Sequence, residues 1–334
     1  MIIKDSDNYD LKKLQSFNLP IIESINHLLE LLDINAEDEK KYLYPNNRKK
    51  NLYREYNISK KNGGVRKIEI PDDKIKFIQK AINRVILSNF NMPNSCIGYM
   101  RGKSIVDNAI PHLEAKTLMK FDIKDFFPSI KLPKVVGQFR YFGYGKNVSK
   151  YLGYLCVNKD FCLPQGAPTS PMLSNLVCIK LDNRIKAFCE KLNLSYTRYA
   201  DDITISSKEK LSTARCEYIK SFIDNIIIDE EFTPNQEKYR KFVNGQSLKV
   251  TGITVNTKMN VDKKIIRELD NAIRYISKYG LDSHLERIEY DLDIDYVNHL
   301  YGLAFYVKMV DKDKGLKYLE ELNKLKLNES AFGV

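Results

Sequence analysis

Two adjacent aspartates interrupt a stretch of the sequence that otherwise favours a β-strand. The stretch Arg198–Ser207 reads RYADDITISS, and its isoleucine, threonine and tyrosine residues are typical of strands, whereas aspartate is not. Asp201 and Asp202 therefore either form a hairpin turn that faces water or hold a metal ion. Carboxylate oxygens suit Mg²⁺, which keeps several waters and accepts phosphate oxygens as further ligands.

A third carboxylate ends the strand candidate KTLMKFDI, residues 116–123. If Asp122 and the aspartate pair lie on neighbouring strands of one sheet, three carboxylates converge at its rim. Two metal ions about 4 Å apart at such a rim would support in-line phosphoryl transfer, because one activates the attacking hydroxyl and the other stabilises the leaving pyrophosphate. Considered alone, an aspartate at a strand end also fits a cap or turn residue.

Three motifs, in the same order and at similar separations, resemble those of reverse transcriptases. Tyr199–Asp202 matches the Y-x-D-D signature, FDIKDFFPSI (121–130) resembles the first palm motif, and LPQGAPTSP (163–171) resembles the second. The resemblance implies an α+β fold of the right-hand polymerase type, with fingers, a palm built on an antiparallel sheet, and a helical thumb. It also implies RNA-directed DNA polymerisation with deoxynucleoside triphosphates and two Mg²⁺ ions.

Roles for individual residues follow from the same resemblance. Asp122 and Asp201 would bind the two ions together with the carbonyl of Ile123, Asp202 would complete the acidic cluster, and Lys238 would protonate the leaving pyrophosphate. The residues implied around the nucleotide are Arg66 and Lys60 at the triphosphate, Asp125 beside it, Phe127 as the ring that excludes a ribose 2′-hydroxyl, and Gln165 and Gly166 against the sugar and base.

Without the motifs, most of these nucleotide and proton-donor residues have a structural explanation. Phe127 would be a core aromatic, the QGAP segment an ordinary turn, Arg66 and Lys60 part of a solvated basic loop, and Lys238 a surface lysine.

Two further patterns resemble bacterial retron reverse transcriptases in particular. Asn108–His112 reads N-A-x-x-H, and Val250-Thr251-Gly252 follows the palm motifs. The resemblance implies a cognate structured non-coding RNA, priming from a 2′-hydroxyl of an internal guanosine, a branched RNA–DNA product, and an effector protein in anti-phage defence. The alternatives are another bacterial reverse transcriptase, of intron, diversity-generating or abortive-infection type, and a nucleic-acid-binding scaffold that restrains an effector.

Hydrophobic periodicity and turn residues predict the secondary-structure elements that precede the first palm motif. An apolar stripe predicts a helix within residues 19–44. Two strands joined at Gly63-Gly64 and closed by Pro71 are predicted next, followed by a helix through Ile75 and Val85.

The later elements surround the aspartate hairpin. A helix is predicted after LPQGAPTSP, with Ser170 as its cap, Pro171 in its first turn and an apolar face that reaches Phe188. A helix near 210–227 and a strand pair in SLKVTGITVN follow. The predicted regions are an N-terminal helical segment (1–45), fingers (46–115), a palm (116–255) with finger elements around 131–165, and a helical thumb (256–334).

The first helix of the predicted thumb carries opposite apolar and basic faces. In DKKIIRELDNAIRYISKYG, the apolar face holds Ile266, Leu269, Ile273 and Ile276, and the other holds Lys264, Arg267, Asn271, Arg274 and Lys278. Such a helix packs inward and follows RNA phosphates, or else simply presents a solvated face. The residues predicted to bind RNA are Asn108, His112, Val250, Thr251, Gly252, Lys264, Arg267, Arg274 and Lys278.

Bulk composition agrees with a nucleic-acid partner. The chain of 334 residues has 54 Lys and Arg against 43 Asp and Glu, a net charge of +11 that suits a polyanion. None of its 6 cysteines forms a C-x-x-C pair, and several lie in apolar surroundings, which predicts reduced core residues in a cytoplasmic protein. No signal peptide or membrane helix is predicted.

Overall fold

Both aspartate motifs lie in one antiparallel sheet at the centre of the chain. The computed structural model describes residues 8–35, 52–59, 63–243, 245–290 and 293–325. Within them the strands are β1 (Tyr53–Ser59), β2 (Val65–Pro71), β3 (Thr117–Asp122), β4 (Ser195–Tyr199), β5 (Asp202–Ser207), β6 (Arg240–Val243), β7 (Lys249–Val250) and β8 (Ile253–Thr254). The central sheet has the order β4-β5-β3-β6, and β1-β2 and β7-β8 form two separate pairs.

Helices cover this sheet and form the C-terminal part of the chain. Those of the described residues are α1 (Leu11–Ser16), α2 (Ile25–Leu31), α3 (Asp73–Val85), α4 (Ile105–Ala109), α5 (Phe126–Ser129), α6 (Leu132–Tyr141), α7 (Lys146–Cys156), α8 (Ser170–Val177), α9 (Ile179–Lys191), α10 (Thr213–Asp229), α11 (Lys263–Tyr279), α12 (Leu281–Ile288), α13 (Asp293–Val310) and α14 (Lys312–Lys324). This combination confirms the predicted α+β class. None of these helices is long and apolar enough to span a membrane.

The predicted basic hairpin is present as β1 and β2. Gly63 and Gly64 directly precede β2 and have φ values of 80° and 83°, a conformation that favours glycine. Lys60 lies outside the described residues. The predicted helix within 19–44 is shorter in the described part of the chain, where α2 starts after the cap Ser24 and residues 36–44 are not described.

The helix predicted after LPQGAPTSP is two helices, and its predicted cap was wrong. Ser170 is the first helical residue of α8, Thr169 precedes it, and Pro171 lies in the first turn as predicted. The helix ends at Val177 and α9 begins at Ile179, so Cys178 separates them. The apolar spacing continues across this break, which is why periodicity alone did not reveal it.

Three apolar cores organise the described residues. The largest joins α1 and α2 to the helices and central sheet up to Phe232. The second lies among α11 to α14 and includes Leu269, Leu300 and Leu322. A small third core joins Ala109 to Val250 and its neighbours. The boundaries of fingers, palm and thumb remain predictions.

Candidate active site

The aspartates of the two motifs lie at the ends of β3 and β5, the two middle strands of the central sheet. Strands β3 and β5 are antiparallel, and their register places Asp122 opposite Asp202. Asp201 lies in the turn between β4 and β5, and its carbonyl accepts a hydrogen bond of 3.2 Å from the backbone N–H of Ile123. Ala200 allows this tight turn with a φ of 59°. The hairpin therefore brings both of its aspartates next to the end of β3.

Burial and neighbouring negative charge both perturb these carboxylates. Burial, together with repulsion by Asp202 and Asp122, raises the pKa of Asp201 to about 6. Burial also raises the pKa of Asp202. A divalent cation would offset this repulsion, and oxygen donors are the ligands that Mg²⁺ prefers.

The donor set fits an open metal site. Across the described ranges, no group of three or more His, Cys, Asp or Glu side chains is arranged to hold a metal ion by itself. Mg²⁺ in phosphoryl-transfer sites usually takes one or two carboxylates and completes its shell with water and phosphate. Asp122, Asp201 and the backbone of Ile123 could supply that share of the ligands.

Two residues of the segment that precedes β6, Asn235 and Lys238, bind the Asp122 carboxylate. Lys238, in a 3-10 helix over Gln236–Lys238, places Nζ 2.7 Å from Oδ2 of Asp122. Although burial favours the neutral amine, the hydrogen bond and charge of Asp122 raise the pKa of Lys238. Asn235 donates from Nδ2 to Oδ1 of Asp122 (2.8 Å) and from its backbone N–H to the Asp122 carbonyl (2.8 Å). Nothing in the local sequence around Asn235 indicates this contact, so Asn235 was not among the predicted site residues.

The second palm motif packs against the basic hairpin. The carbonyl of Gln165 accepts a 2.8 Å hydrogen bond from the N–H of Glu69 in β2. Gly166 has a φ of +133°, and a Cβ there would lie 2.7 Å from the Glu69 carbonyl oxygen, so glycine is required. Arg66 is exposed on the same strand. The hairpin thus brings a guanidinium to the neighbourhood of the glutamine–glycine pair.

Phe127 and Asp125 follow the end of β3. The half-buried Phe127 ring lies 6.1 Å from that of Tyr99 and 5.5 Å from that of Phe126, measured between centroids. Asp125 is exposed and has a left-handed backbone with φ 47°, which turns the chain into α5.

A buried ion pair lies beneath the catalytic hairpin. Arg198 and Asp182 are both fully buried and joined by two hydrogen bonds of 2.7 Å. Arg198 also donates to the carbonyl of Ala200 and to Oδ1 of Asn175, each at 3.1 Å. Tyr196 donates to Asp182 at 2.6 Å. Arg198 belongs to the aspartate hairpin, but its partners are distant in sequence, so local patterns do not predict this network.

Three of the residues predicted to bind RNA are buried instead. His112 is fully buried, with Nδ1 2.7 Å from Ser206 Oγ and Nε2 2.8 Å from Thr197 Oγ1. Asn108 and Val250 have exposed fractions of 1% and 0%. Because these three side chains face the interior, they pack within the protein in this structure. Direct RNA contact by them stays a prediction.

The other predicted RNA residues are accessible. Thr251 and Gly252 form the turn between β7 and β8 with φ values of 44° and 89°. On α11, Leu269, Ala272 and Ile276 are buried on one face. The exposed residues of that helix include Lys264, Arg267, Asn271, Arg274 and Lys278. The described helix therefore has the two faces that its sequence predicted.

Known proteins share these features. The family described as reverse transcriptase (RNA-dependent DNA polymerase) matches residues 58–255. The retron Ec86 reverse transcriptase of Escherichia coli is 30% identical over 320 residues, which cover 94% of this chain and 97% of that protein. The retron Ec73 reverse transcriptase of the same organism is 31% identical over 275 residues, covering 77% and 83%.

Two further matches are weaker, because one covers less of the matched protein and the other has low sequence identity. The retron Mx65 reverse transcriptase of Myxococcus xanthus is 30% identical over 279 residues, and the match covers 78% of this chain and 62% of that protein. A telomerase structure from Candida albicans, in complex with a telomeric RNA fragment, has a TM-score of 0.46 and 10% identity, covering 90% of this chain and 68% of that one.

Proposed function

Because the chain belongs to the retron reverse transcriptases, a group of RNA-directed DNA polymerases, we propose that it copies part of one cognate structured non-coding RNA into DNA. Synthesis starts from a 2′-hydroxyl of an internal guanosine in that RNA, so the single-stranded DNA product stays linked to it by a branch. The complex acts with an effector protein in anti-phage defence. The observation that carries the polymerase site is the pairing of Asp122 with Asp202 beside Asp201.

In this proposal the acidic cluster would hold two Mg²⁺ ions. Asp122, Asp201 and the carbonyl of Ile123 would be the ligands, and Asp202 would add negative charge near the primer end. When bound, the ions would supply Lewis-acid activation of the attacking hydroxyl and would offset charge on the leaving pyrophosphate. The hydroxyl oxygen bonds to the α-phosphorus and its proton passes to water, while the bond from that phosphorus to the bridging oxygen breaks. The Lys238 ammonium gives a proton to the leaving pyrophosphate and regains one from solvent.

The incoming deoxynucleoside triphosphate occupies the space between the basic hairpin and the sheet. Arg66, with Lys60, contacts the triphosphate, and Asp125 supports that end of the site. Phe127 excludes a ribose 2′-hydroxyl, because its ring occupies the space beside the sugar. Gln165 and Gly166 lie against the sugar and base, and glycine allows the close approach.

The partner RNA is bound through the exposed basic face of α11 and the β7-β8 turn. The net charge of +11 favours association with a polyanion. We place the protein in the cytoplasm, where thiols stay reduced, because all six cysteines are buried, as expected for reduced core residues.

Co-purification tests the retron-type reaction. The chain is expressed with its flanking genomic region and isolated, and the bound nucleic acid is treated with RNase and then with debranching enzyme. We expect a small DNA whose electrophoretic mobility shifts on debranching. Absence of a branched DNA, with polymerase activity retained on a primed RNA template, would contradict retron-type priming and favour another class of bacterial reverse transcriptase.

A paired variant tests the metal assignment. Asp201→Asn with Asp202→Asn should abolish the DNA and leave the bound RNA, because the carboxylate ligand Asp201 and its acidic neighbour are lost while the basic face is intact. Asp160→Asn with Asp282→Asn removes the same charge from exposed positions and serves as the matched control. Normal DNA synthesis by the first pair would contradict the assignment.

A further inference from the structure

Tyr99 lies beside the candidate active site but belongs to none of the motifs discussed above. Its side chain is 45% exposed, and its ring centroid lies 6.1 Å from that of Phe127. Its backbone is left-handed, with φ 64°. A bulky residue rarely adopts this conformation, and such strain is retained where the surroundings fix it, often at functional sites.

The loop that carries Tyr99 is fixed at the two residues that precede it. The N–H of Ile97 donates to the carbonyl of Arg198 at 2.9 Å. Gly98 abuts the catalytic hairpin so closely that a Cβ on it would lie 2.6 Å from the backbone nitrogen of Ala200. The strained tyrosine therefore has a defined position relative to the turn that holds Asp201.

The buried network beneath the hairpin also holds this loop. Asn175 donates from Nδ2 to the Gly98 carbonyl at 2.8 Å, and its Oδ1 accepts from Arg198 at 3.1 Å. Arg198 in turn donates to the carbonyl of Ala200. One set of buried side chains thus fixes both the tyrosine loop and the aspartate turn, so a substrate between them meets a preorganised surface.

The Tyr99 hydroxyl is an available donor. Among the described residues it has no hydrogen-bond partner. Burial, together with the charge of Asp201 and against the smaller effect of the Arg66 charge, raises the pKa of Tyr99 to about 12. The hydroxyl is therefore protonated at neutral pH and lies in the fields of both the acidic cluster and the exposed guanidinium.

We propose that Tyr99 binds the incoming deoxynucleoside triphosphate, with its ring extending the wall that Phe127 forms beside the sugar and its hydroxyl donating a hydrogen bond to a phosphate oxygen. This inference rests on the nucleotide site proposed above for Arg66 and Phe127. A phosphate between Arg66 and the metal-binding carboxylates would accept the hydrogen bond from the Tyr99 hydroxyl, which has no other acceptor among the described residues.

Steady-state kinetics on a primed homopolymer, poly(rA) with oligo(dT), test the inference independently of retron-type priming. Tyr99→Phe removes only the hydroxyl, and we expect the KM for dTTP to rise about threefold to tenfold with little change in kcat. Tyr99→Leu also removes the ring and should raise this KM more than about tenfold. The KM for the primed template should stay unchanged in both variants.

Matched controls separate a binding role from a structural one. Tyr218 on α10 is 51% exposed, and Tyr218→Phe and Tyr218→Leu should leave every kinetic constant unchanged. Melting temperatures show whether each variant is folded. If Tyr99→Leu does not fold, Tyr99→Phe still tests the hydroxyl.

Arg66→Ala, measured in parallel, distinguishes the possible failures. If Arg66→Ala raises the KM for dTTP and both Tyr99 variants do not, the Tyr99 inference is overturned while the nucleotide site stands. If Arg66→Ala leaves the KM unchanged, the proposed nucleotide site fails and the inference with it. A Tyr99 effect confined to the KM for the primed template would assign the residue to the template strand and overturn the inference.

Discussion

At the scale of single residues, Asp122 is held by contacts that do not come from its own motif. Both of its carboxylate oxygens are hydrogen-bonded, Oδ1 to Asn235 and Oδ2 to Lys238. Such partners orient a metal ligand, and losing one typically costs about 10–100-fold in metal affinity or activity. Asn235 contributes through its backbone as well, so its side chain is the separable part of the contact.

We therefore expect Asn235→Ala to lower kcat about tenfold or more and to raise the Mg²⁺ concentration needed for half-maximal rate. The KM for deoxynucleotide should change little, because Asn235 contacts Asp122 rather than the proposed nucleotide site. Magnesium titrations of the polymerase rate measure these effects. Asn225→Ala, at an exposed position of α10, is the control. An unchanged magnesium dependence in the Asn235 variant would show that Asp122 is oriented without this contact.

His112 gives stability a pH dependence. Burial, with the charge of Lys120 as a smaller cause, lowers the pKa of His112 from 6.5 to about 3 in the folded chain. Between these values the unfolded state binds a proton that the folded state does not, so the free energy of unfolding falls as pH falls below about 6.5. The contribution lost by pH 4.5 is roughly 2 to 3 kcal/mol.

Urea unfolding at several pH values checks this linkage. We expect His112→Gln, which keeps polar atoms beside Ser206 and Thr197, to lose less stability than the unsubstituted chain between pH 6.5 and pH 4.5. If both proteins lose the same free energy of unfolding, His112 has the same pKa in the folded and unfolded states and the linkage is contradicted.

At the scale of secondary structure, local patterns predicted the elements but not the contacts between them. Alternation and turn residues indicated β3 and the hairpin of β4 and β5, and the structure confirms both. The break at Cys178 was missed, because the apolar spacing runs through it. Nothing local could indicate that Asn175 and Asp182, on either side of that break, both bind Arg198.

The exposed positive face of α11 supports a prediction about RNA binding. Arg267→Glu with Arg274→Glu should weaken binding of the cognate RNA and make its affinity less dependent on salt, because each lost phosphate contact reduces the slope of log K against log salt by about 0.7 to 0.9. Filter binding across a range of salt concentrations measures that slope.

Lys186→Glu with Lys191→Glu is the matched control for this pair. It changes the net charge by the same amount at exposed positions of α9. If both pairs reduce the slope equally, total charge governs RNA binding and α11 has no special role.

At the scale of the whole molecule, the N-terminal helices belong to the main body of the chain. Leu14, Ile22 and Leu28 are fully buried and join the same core as the palm sheet. The backbone of Asp10 also donates to the carbonyl of Gly143 at 2.7 Å. Helices α11 to α14 have a separate core, so their stability depends less on the central sheet than that of the N-terminal helices does.

This arrangement predicts that the N-terminal helices stabilise the fold and do not bind RNA directly. Leu28→Ala should lower the free energy of unfolding by about 2–5 kcal/mol, because it leaves a cavity in the main core. Leu11, which is 42% exposed, provides the matched control, and Leu11→Ala should cost under about 1 kcal/mol. Urea unfolding measures both values.

For the folded fraction of the Leu28 variant, the salt dependence of RNA binding should be unchanged, since no phosphate contact is lost. A normal unfolding free energy with weakened RNA binding would reverse the assignment and make this segment part of the RNA interface.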